Sequence, residues 1–391
     1  MAGVNRPMRP QDPFIGRDIL NGQFQILQKI GTGGMGAVYK ALQPEMNRMV
    51  GVKILHPKLT NRKDLASRFR REARAMSHLT HPNTVKVFLY GELEDGSLYI
   101  VMEFLEGKNL NQTVRGEGPM QMQRALPILI QVCGALQEAH QAGIIHRDLK
   151  PENIFLCSQG GMKDYPKVLD FGLAKVTERE MRPGSLILTQ EGMVFGTPEF
   201  MSPEQAQGKT LTSGSDIYSL AVILYEVLTG KLPFEAKGAM DYLQLHVSGR
   251  PIPLSRRVEG RVFPPLLDQV MERALAKRPE DRFPSAADFA LALQAVLDGR
   301  HQVGGMAPPP PPSANGANLR VVPPPQPHPH HHHHHAPPPP STTSSLGSEG
   351  TMARAFKPRP NPLFLLGTVA LGCLVVGAAV AVLVMRFLMA H

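Results

Sequence analysis

Eight consecutive residues, His146-Arg147-Asp148-Leu149-Lys150-Pro151-Glu152-Asn153, hold a carboxylate, an ammonium and a carboxamide at fixed offsets, with Pro151 stiffening the loop between them. That set suits transfer of a phosphoryl group to a hydroxyl. Asp148 can take the hydroxyl proton and orient the oxygen, and Lys150 can offset charge on the moving phosphate. Asn153 can hold a metal ion. A second motif, Asp170-Phe171-Gly172, follows the apolar pair Val168-Leu169 and lies 22 residues after Asp148. Asp170 can bind magnesium through the phosphates, and Gly172 gives the backbone freedom to swing Phe171.

A phosphate donor needs a cradle. Gly31-Thr32-Gly33-Gly34-Met35-Gly36-Ala37-Val38 follows a strand-like Phe24 to Ile30. Such a glycine pattern suits either a dinucleotide fold or a phosphate loop between strands. The dinucleotide version needs a helix straight after the glycines. Here Ala37 to Leu42 stays strand-like, and Val50-Gly51-Val52-Lys53-Ile54-Leu55 gives another strand. A glycine hairpin over ATP phosphates is therefore expected, with Lys53 reaching the α- and β-phosphates.

Residues 64–79 read as a helix with Asp64 as N-cap and an inward face of Leu65, Phe69, Met76 and Leu79. Glu72 falls on that face. A carboxylate among apolar residues needs a cation, and Lys53 is the expected partner. Strands are expected near 84–90 and 98–104, and a mostly apolar helix over 121–143 leads into the loop at 146.

Through these motifs residues 20–298 resemble the eukaryotic-like serine/threonine protein kinases of bacteria. The resemblance implies a bilobal α+β fold: a small lobe of antiparallel strands plus one helix, then a larger, mainly helical lobe, with ATP in the cleft. It implies Asp148, Lys150, Asn153, Lys53 and Glu72 as the catalytic set, with Asn153 and Asp170 on Mg2+ or Mn2+. Its nucleotide-binding positions fall on Gly31, Thr32, Gly33, Gly34, Met35, Gly36, Val38, Gly51, Lys53, the gatekeeper Met102, the hinge residues Glu103 and Leu105, and Phe155 under adenine. Gly51 departs from the family's usual Ala, removing a methyl group from the adenine ceiling. Residues 173–204 correspond to the activation segment, ending in Gly196-Thr197-Pro198-Glu199-Phe200-Met201-Ser202-Pro203-Glu204, with Ser202 where Ala is usual. The resemblance pairs Glu204 with Arg282 and makes Asp216 a brace for the catalytic loop. Lys150 two residues after Asp148, with Thr197 in reach of both, points to Ser or Thr as acceptor. Thr189 is the expected activating phosphosite acting through Arg147, with Ser185 as fallback, and Glu191 supplies standing negative charge. Autophosphorylation there is expected.

Three cysteines without paired spacing argue against a disulfide framework. A net charge of +9 raises nucleic acid as a partner, yet the cations are scattered with no aromatic-interleaved basic stripe, so none is expected. Residues 1–19 read as a flexible tail, with no apolar core for a signal peptide. Residues 299–362 are Pro-, His- and Ser-rich with Glu349 as the sole acid from 301 onward, a composition too polar to fold. Its proline runs suit polyproline-recognising partners, and His330 to His335 read as solvated spacer rather than a metal site.

Residues 363–385 then run 23 residues without charge, reaching about 34 Å as a helix, enough to span a bilayer. Arg354, Lys357 and Arg359 precede it and Arg386 follows, which places the kinase domain in the cytoplasm of a single-pass cell-membrane protein. Only residues 386–391 follow, so no extracytoplasmic sensor is expected. Cys373, Gly377 and Ala381 form a small-residue stripe suited to a homodimer. The expected role is phosphorylation of protein substrates in membrane-associated signalling. A catalytically weak scaffold would be expected to lose Lys53, Asp148 or Asp170. A small-molecule phosphotransferase would lack the peptide-docking stretch at 196–204.

Overall fold

Strands with alternating burial at 24–26 and 39–41, followed by a strand at 48–55 buried on both faces, build the first layer of the protein. The computed structural model describes residues 12–33, 36–55, 63–171 and 197–299. Strands β1 (Asp18–Ile19), β2 (Phe24–Gly33), β3 (Gly36–Gln43), β4 (Arg48–Leu55), β5 (Val87–Glu92) and β6 (Leu98–Glu103) form an antiparallel sheet in the order β1-β2-β3-β4-β6-β5. Phe24, Ile26, Tyr39, Ala41, Val50, Val52 and Val101 point to one buried side, the period-two signature of a half-covered sheet. Helix α1 (Lys63–Ser77) packs on the other side through Phe69, Ala73 and Met76. It begins one residue before Asp64, which therefore lies within the helix rather than capping it.

The second layer is mainly helical. After β7 (Gly107–Asn109) come α2 (Leu110–Glu117) and α3 (Met122–Gln141), then β8 (Ile154–Gln159) and β9 (Met162–Val168), which complete a three-stranded antiparallel sheet in the order β7-β8-β9. The remaining helices are α4 (Pro203–Ala206), α5 (Ser213–Thr229), α6 (Ala239–Ser248), α7 (Leu254–Arg257), α8 (Pro265–Ala274) and α9 (Ala286–Leu297). α5 is buried on nearly every face, as a helix at the centre of a core must be. Ile217, Leu220, Val222, Ile223, Leu224 and Leu228 are fully buried, and its Thr212/Ser215 capping box starts it cleanly.

The first nineteen residues are not wholly a loose tail. Asp12 accepts a hydrogen bond from Tyr39 Oη at 3.1 Å and pairs with Lys29 Nζ at 3.0 Å, while Gly16 and Arg17 exchange backbone bonds with Ile26. Phe14 lies against Tyr39 with ring centroids 5.7 Å apart. A single well-placed carboxylate and one aromatic ring were enough to bolt this short segment to the sheet. The linker at 299–362 is described at Gly299 alone, and the apolar run 363–385, the 386–391 tail and residues 172–196 with Thr189, Ser185 and Glu191 lie outside the described residues. Among the described residues no helix is long and apolar enough to cross a membrane.

Candidate active site

The glycine hairpin forms because β2 and β3 stay paired, through register shifts at Ile26/Gln28 and Lys29/Gly31, up to Gly33 opposite Gly36; Gly34 and Met35 lie outside the described residues. Gly36 sits at φ +154°, and a Cβ there would lie 2.1 Å from the Ile54 carbonyl oxygen, so only glycine lets β3 reach β4 at this point. Val38 is opposite Lys53 in that pairing. Lys53 thus projects from the middle of the sheet with its side chain only 10 % exposed.

Its partner differs from the expected one. Lys53 Nζ lies 2.8 Å from Asp170 Oδ2, while the described ion pair of Glu72 is with its neighbour Arg71 at 3.3 Å. Glu72 is buried on the inner face of α1 as its periodicity requires, 7 % exposed. The helix pattern fixes that face but not the distance across to β4. Asp170 adopts φ +58°, a left-handed conformation that costs an ordinary residue energy and turns its carboxylate to Lys53. Burial raises the Asp170 carboxyl, but the Lys53 charge and hydrogen bond, with His146 and Lys150 further off, outweigh it and hold the group below the usual carboxylate range.

The catalytic loop is held from below by Asp216, as expected. Its Oδ2 accepts from the His146 backbone N–H at 2.9 Å and its Oδ1 from Arg147 N–H at 3.1 Å, while His140 Nε2 lies 2.7 Å from Oδ2. Arg147 takes φ +72° in the sharp turn this creates. His146 was not singled out in the sequence beyond its place in the octet. It is fully buried, bonded through Nε2 to the Leu169 carbonyl at 2.8 Å, with its ring 5.0 Å from that of Phe171. It therefore ties the loop bearing Asp148 to the strand end bearing Asp170.

Lys150 Nζ lies 2.8 Å from Asp148 Oδ2 and 3.3 Å from Thr197 Oγ, so the three side chains are brought together. Asn153 donates its amide to the Asp148 carbonyl at 2.6 Å, which leaves its side-chain oxygen free for a cation. That oxygen and the Asp170 carboxylate are hard donors of the kind Mg2+ or Mn2+ prefers, with phosphate oxygens able to complete the shell. Among the described residues no group of three or more His, Cys, Asp or Glu could hold a metal by itself.

The positions expected to meet adenine lie largely on β4 and β6. Gly51 is paired with Met102, and a methyl group on Gly51 would meet Met102 Cγ at 3.3 Å. The missing methyl is thus matched by the close approach of the Met102 side chain. Glu103 and Leu105 are half-buried in the link to the helical layer, and Phe155 lies on β8 below them in sequence position.

Beside the loop, burial together with the Glu152 and Glu199 charges pushes the Glu226 carboxyl up to about 7. The unfolded value is the ordinary 4.5. Between 4.5 and 7 the unfolded chain releases this proton while the folded one keeps it, so stability falls as pH rises and the full cost applies above 7. That cost amounts to up to about 3 kcal/mol. Glu226→Gln is expected to stabilise the chain against urea at pH 8.5 and to change little at pH 5; equal effects at the two pH values would contradict the assignment.

Comparison with known proteins places this geometry. The family model described as a protein kinase domain matches residues 24–291. The chain is 42 % identical to "Serine/threonine-protein kinase pkn3" of Myxococcus xanthus over 285 residues, 73 % of this chain and 52 % of that protein. It is 40 % identical over 283 residues to "Serine/threonine-protein kinase PknB" of Mycobacterium tuberculosis, 72 % of this chain and 44 % of that one. The chain thus spans about half the length of such relatives. The crystal structure of the Mycobacterium tuberculosis PknI kinase domain matches with a TM-score of 0.56 at 26 % identity, covering 72 % of this chain and 98 % of that one.

Proposed function

The chain belongs to the protein kinase family, and from that premise we propose that it transfers the γ-phosphoryl group of ATP to serine and threonine hydroxyls of proteins. The observation that carries this reading is the Asp148–Lys150–Thr197 cluster, with Lys150 Nζ 2.8 Å from the Asp148 carboxylate and 3.3 Å from the Thr197 hydroxyl. Asp148 is held ready to accept the proton of an incoming hydroxyl. Lys150 keeps that carboxylate oriented and stands by to offset charge on the group in flight. Thr197 borders the space where the acceptor must enter. Lys53, fixed by Asp170, offers its cation at the phosphate end. Asp170 and Asn153 would hold Mg2+ or Mn2+, which when bound neutralises phosphate charge.

Two further elements belong to this proposal. Phosphorylation of Thr189 by the protein itself raises activity, supported by Arg147, which directly precedes Asp148 in the turn braced by Asp216. The uncharged run 363–385, with three cations before it and Arg386 after it, anchors the enzyme in a membrane with its kinase domain in the cytoplasm.

Phosphoamino-acid analysis after incubation with γ-labelled ATP and a protein acceptor tests the acceptor class. Label on serine and threonine, Thr189 among the sites, is the expected result. Label confined to tyrosine or to a small molecule would overturn it. For the anchor, protein released from membranes by carbonate alone would contradict a spanning segment.

A further inference from the structure

An ion pair not foreseen from the sequence ties Glu103, one of the expected hinge residues, to Lys167. Lys167 Nζ lies 2.7 Å from Glu103 Oε1, and the Lys86 backbone N–H donates to the same oxygen at 2.7 Å. Lys167 is on β9, three residues before Asp170, and its side chain is only 8 % exposed. A lysine so deeply placed on a strand needs an anion, and a carboxylate meets it. Glu103 ends β6, where the chain crosses to the helical layer, and its backbone pairs with Val50 on β4.

The register makes this contact consequential. Lys167 is opposite Phe155 on β8, the residue placed under adenine by resemblance. The next residue, Val168, donates to the Asn83 carbonyl at 2.7 Å and accepts from Val85 N–H at 3.0 Å. Leu169 then bonds the Asn153 carbonyl at 2.9 Å, one step before Asp170. A shift of Lys167 along or away from Glu103 would therefore move the floor of the adenine end and the carboxylate at the metal end together.

We infer that Glu103 and Lys167 are a positioning pair that holds the hinge against β9 and thereby sets affinity for ATP and its metal, without taking part in the transfer. The inference rests on the kinase reading and adds to it a determinant of nucleotide affinity.

The test uses the full chain and four variants: Glu103→Gln, Lys167→Met, the double Glu103→Gln/Lys167→Met, and the conservative Lys167→Arg. Equilibrium binding of a fluorescent ATP analogue with Mg2+ is measured beside KM for ATP, kcat and thermal melting. Each neutralising single is expected to raise Kd and KM about tenfold with kcat within about threefold, a coupling of ordinary size for a contacting pair. The double should be little worse than either single, and Lys167→Arg should keep affinity near wild type. Variants that melt earlier yet retain wild-type Kd and KM would overturn the inference, leaving the pair purely structural. A drop in kcat with KM unchanged would overturn it too. Should a single fail to fold, the double, which leaves no uncompensated buried charge, decides by the same criterion. A wild-type chain that binds no ATP overturns the kinase reading itself, whereas a wild type that binds ATP alongside indistinguishable variants overturns the pair alone.

Discussion

Asp148→Asn is expected to lower turnover by about 10²–10⁴-fold, the range a positioned proton acceptor supplies. The replacement keeps the size of the side chain and can still meet Lys150, so the fold should melt near the wild-type temperature. What it loses is the carboxylate, 2.8 Å from the ammonium of Lys150, that receives the acceptor proton. Asp170→Asn should fall as far by a different route, since it removes the charge on which Lys53 is anchored at 2.8 Å and one of the two proposed metal ligands. The two losses should not multiply, because both act on one transition state. The check is steady-state kinetics on purified variants free of contaminating kinase. Turnover of Asp148→Asn within a few-fold of wild type would sink the assignment.

The largest expected effect on stability lies away from the chemistry, at Glu204. Its carboxylate accepts from Arg282 Nη1 and Nη2, both at 2.8 Å, and from Ser215 Oγ at 2.6 Å. Both side chains are almost fully buried, 0 % exposed for Arg282 and 4 % for Glu204. Arg282 also donates to the carbonyls of Gly214, Ala276 and Lys277 and lies over the Tyr218 ring at 4.9 Å. The bidentate bond outweighs the desolvation that alone would raise the Glu204 carboxyl, and holds it below the usual range. Glu204→Ala leaves a guanidinium buried without its anion, expected to cost about 3–5 kcal/mol. Arg282→Lys should also be damaging, because an ammonium cannot reproduce the fork. Removing both partners as Glu204→Met/Arg282→Met should cost less than the two single losses added. Urea denaturation of the wild type, Glu204→Met, Arg282→Met and the double decides it; additive losses of the two Met singles would show that the pair is not coupled. Since α4 follows Thr197 through Met201 and Ser202, loss of this anchor should lower activity as well.

Much of this architecture could be read from local spacing. The offsets within 146–153 survive folding because Pro151 and the short turn at Pro151–Asn153 fix them. Glu72 was placed correctly on the inner face of α1 because helical periodicity alone decides that. Its partner was not, since the Lys53 ion pair depends on where α1 sits over the sheet and on the left-handed turn at Asp170. Lys167 escaped notice for a related reason. A lysine in Pro166-Lys167-Val168-Leu169 looks like a solvated strand residue until the register with β8 and the arrival of Glu103 from β6 are known. Asp12 was hidden likewise, because the value of its carboxylate lies in Tyr39 and Lys29, which only the paired strands bring to it. The patterns read from spacing alone succeeded where their members are close along the chain, whereas the distant contacts expected correctly, Glu204 with Arg282 and Asp216 with the catalytic loop, came from the family resemblance.

The most direct test of the account is transfer of label from γ-labelled ATP by the purified full chain beside its Lys53→Met variant, followed by mapping of the labelled residues. The account predicts incorporation on serine and threonine residues by the wild type and a loss of at least about a hundredfold in the variant, since Lys53 is the cation held by Asp170 at the phosphate end of the cleft. Equal labelling by the two proteins, or none by the wild type with Mg2+ and Mn2+ each supplied, would contradict it.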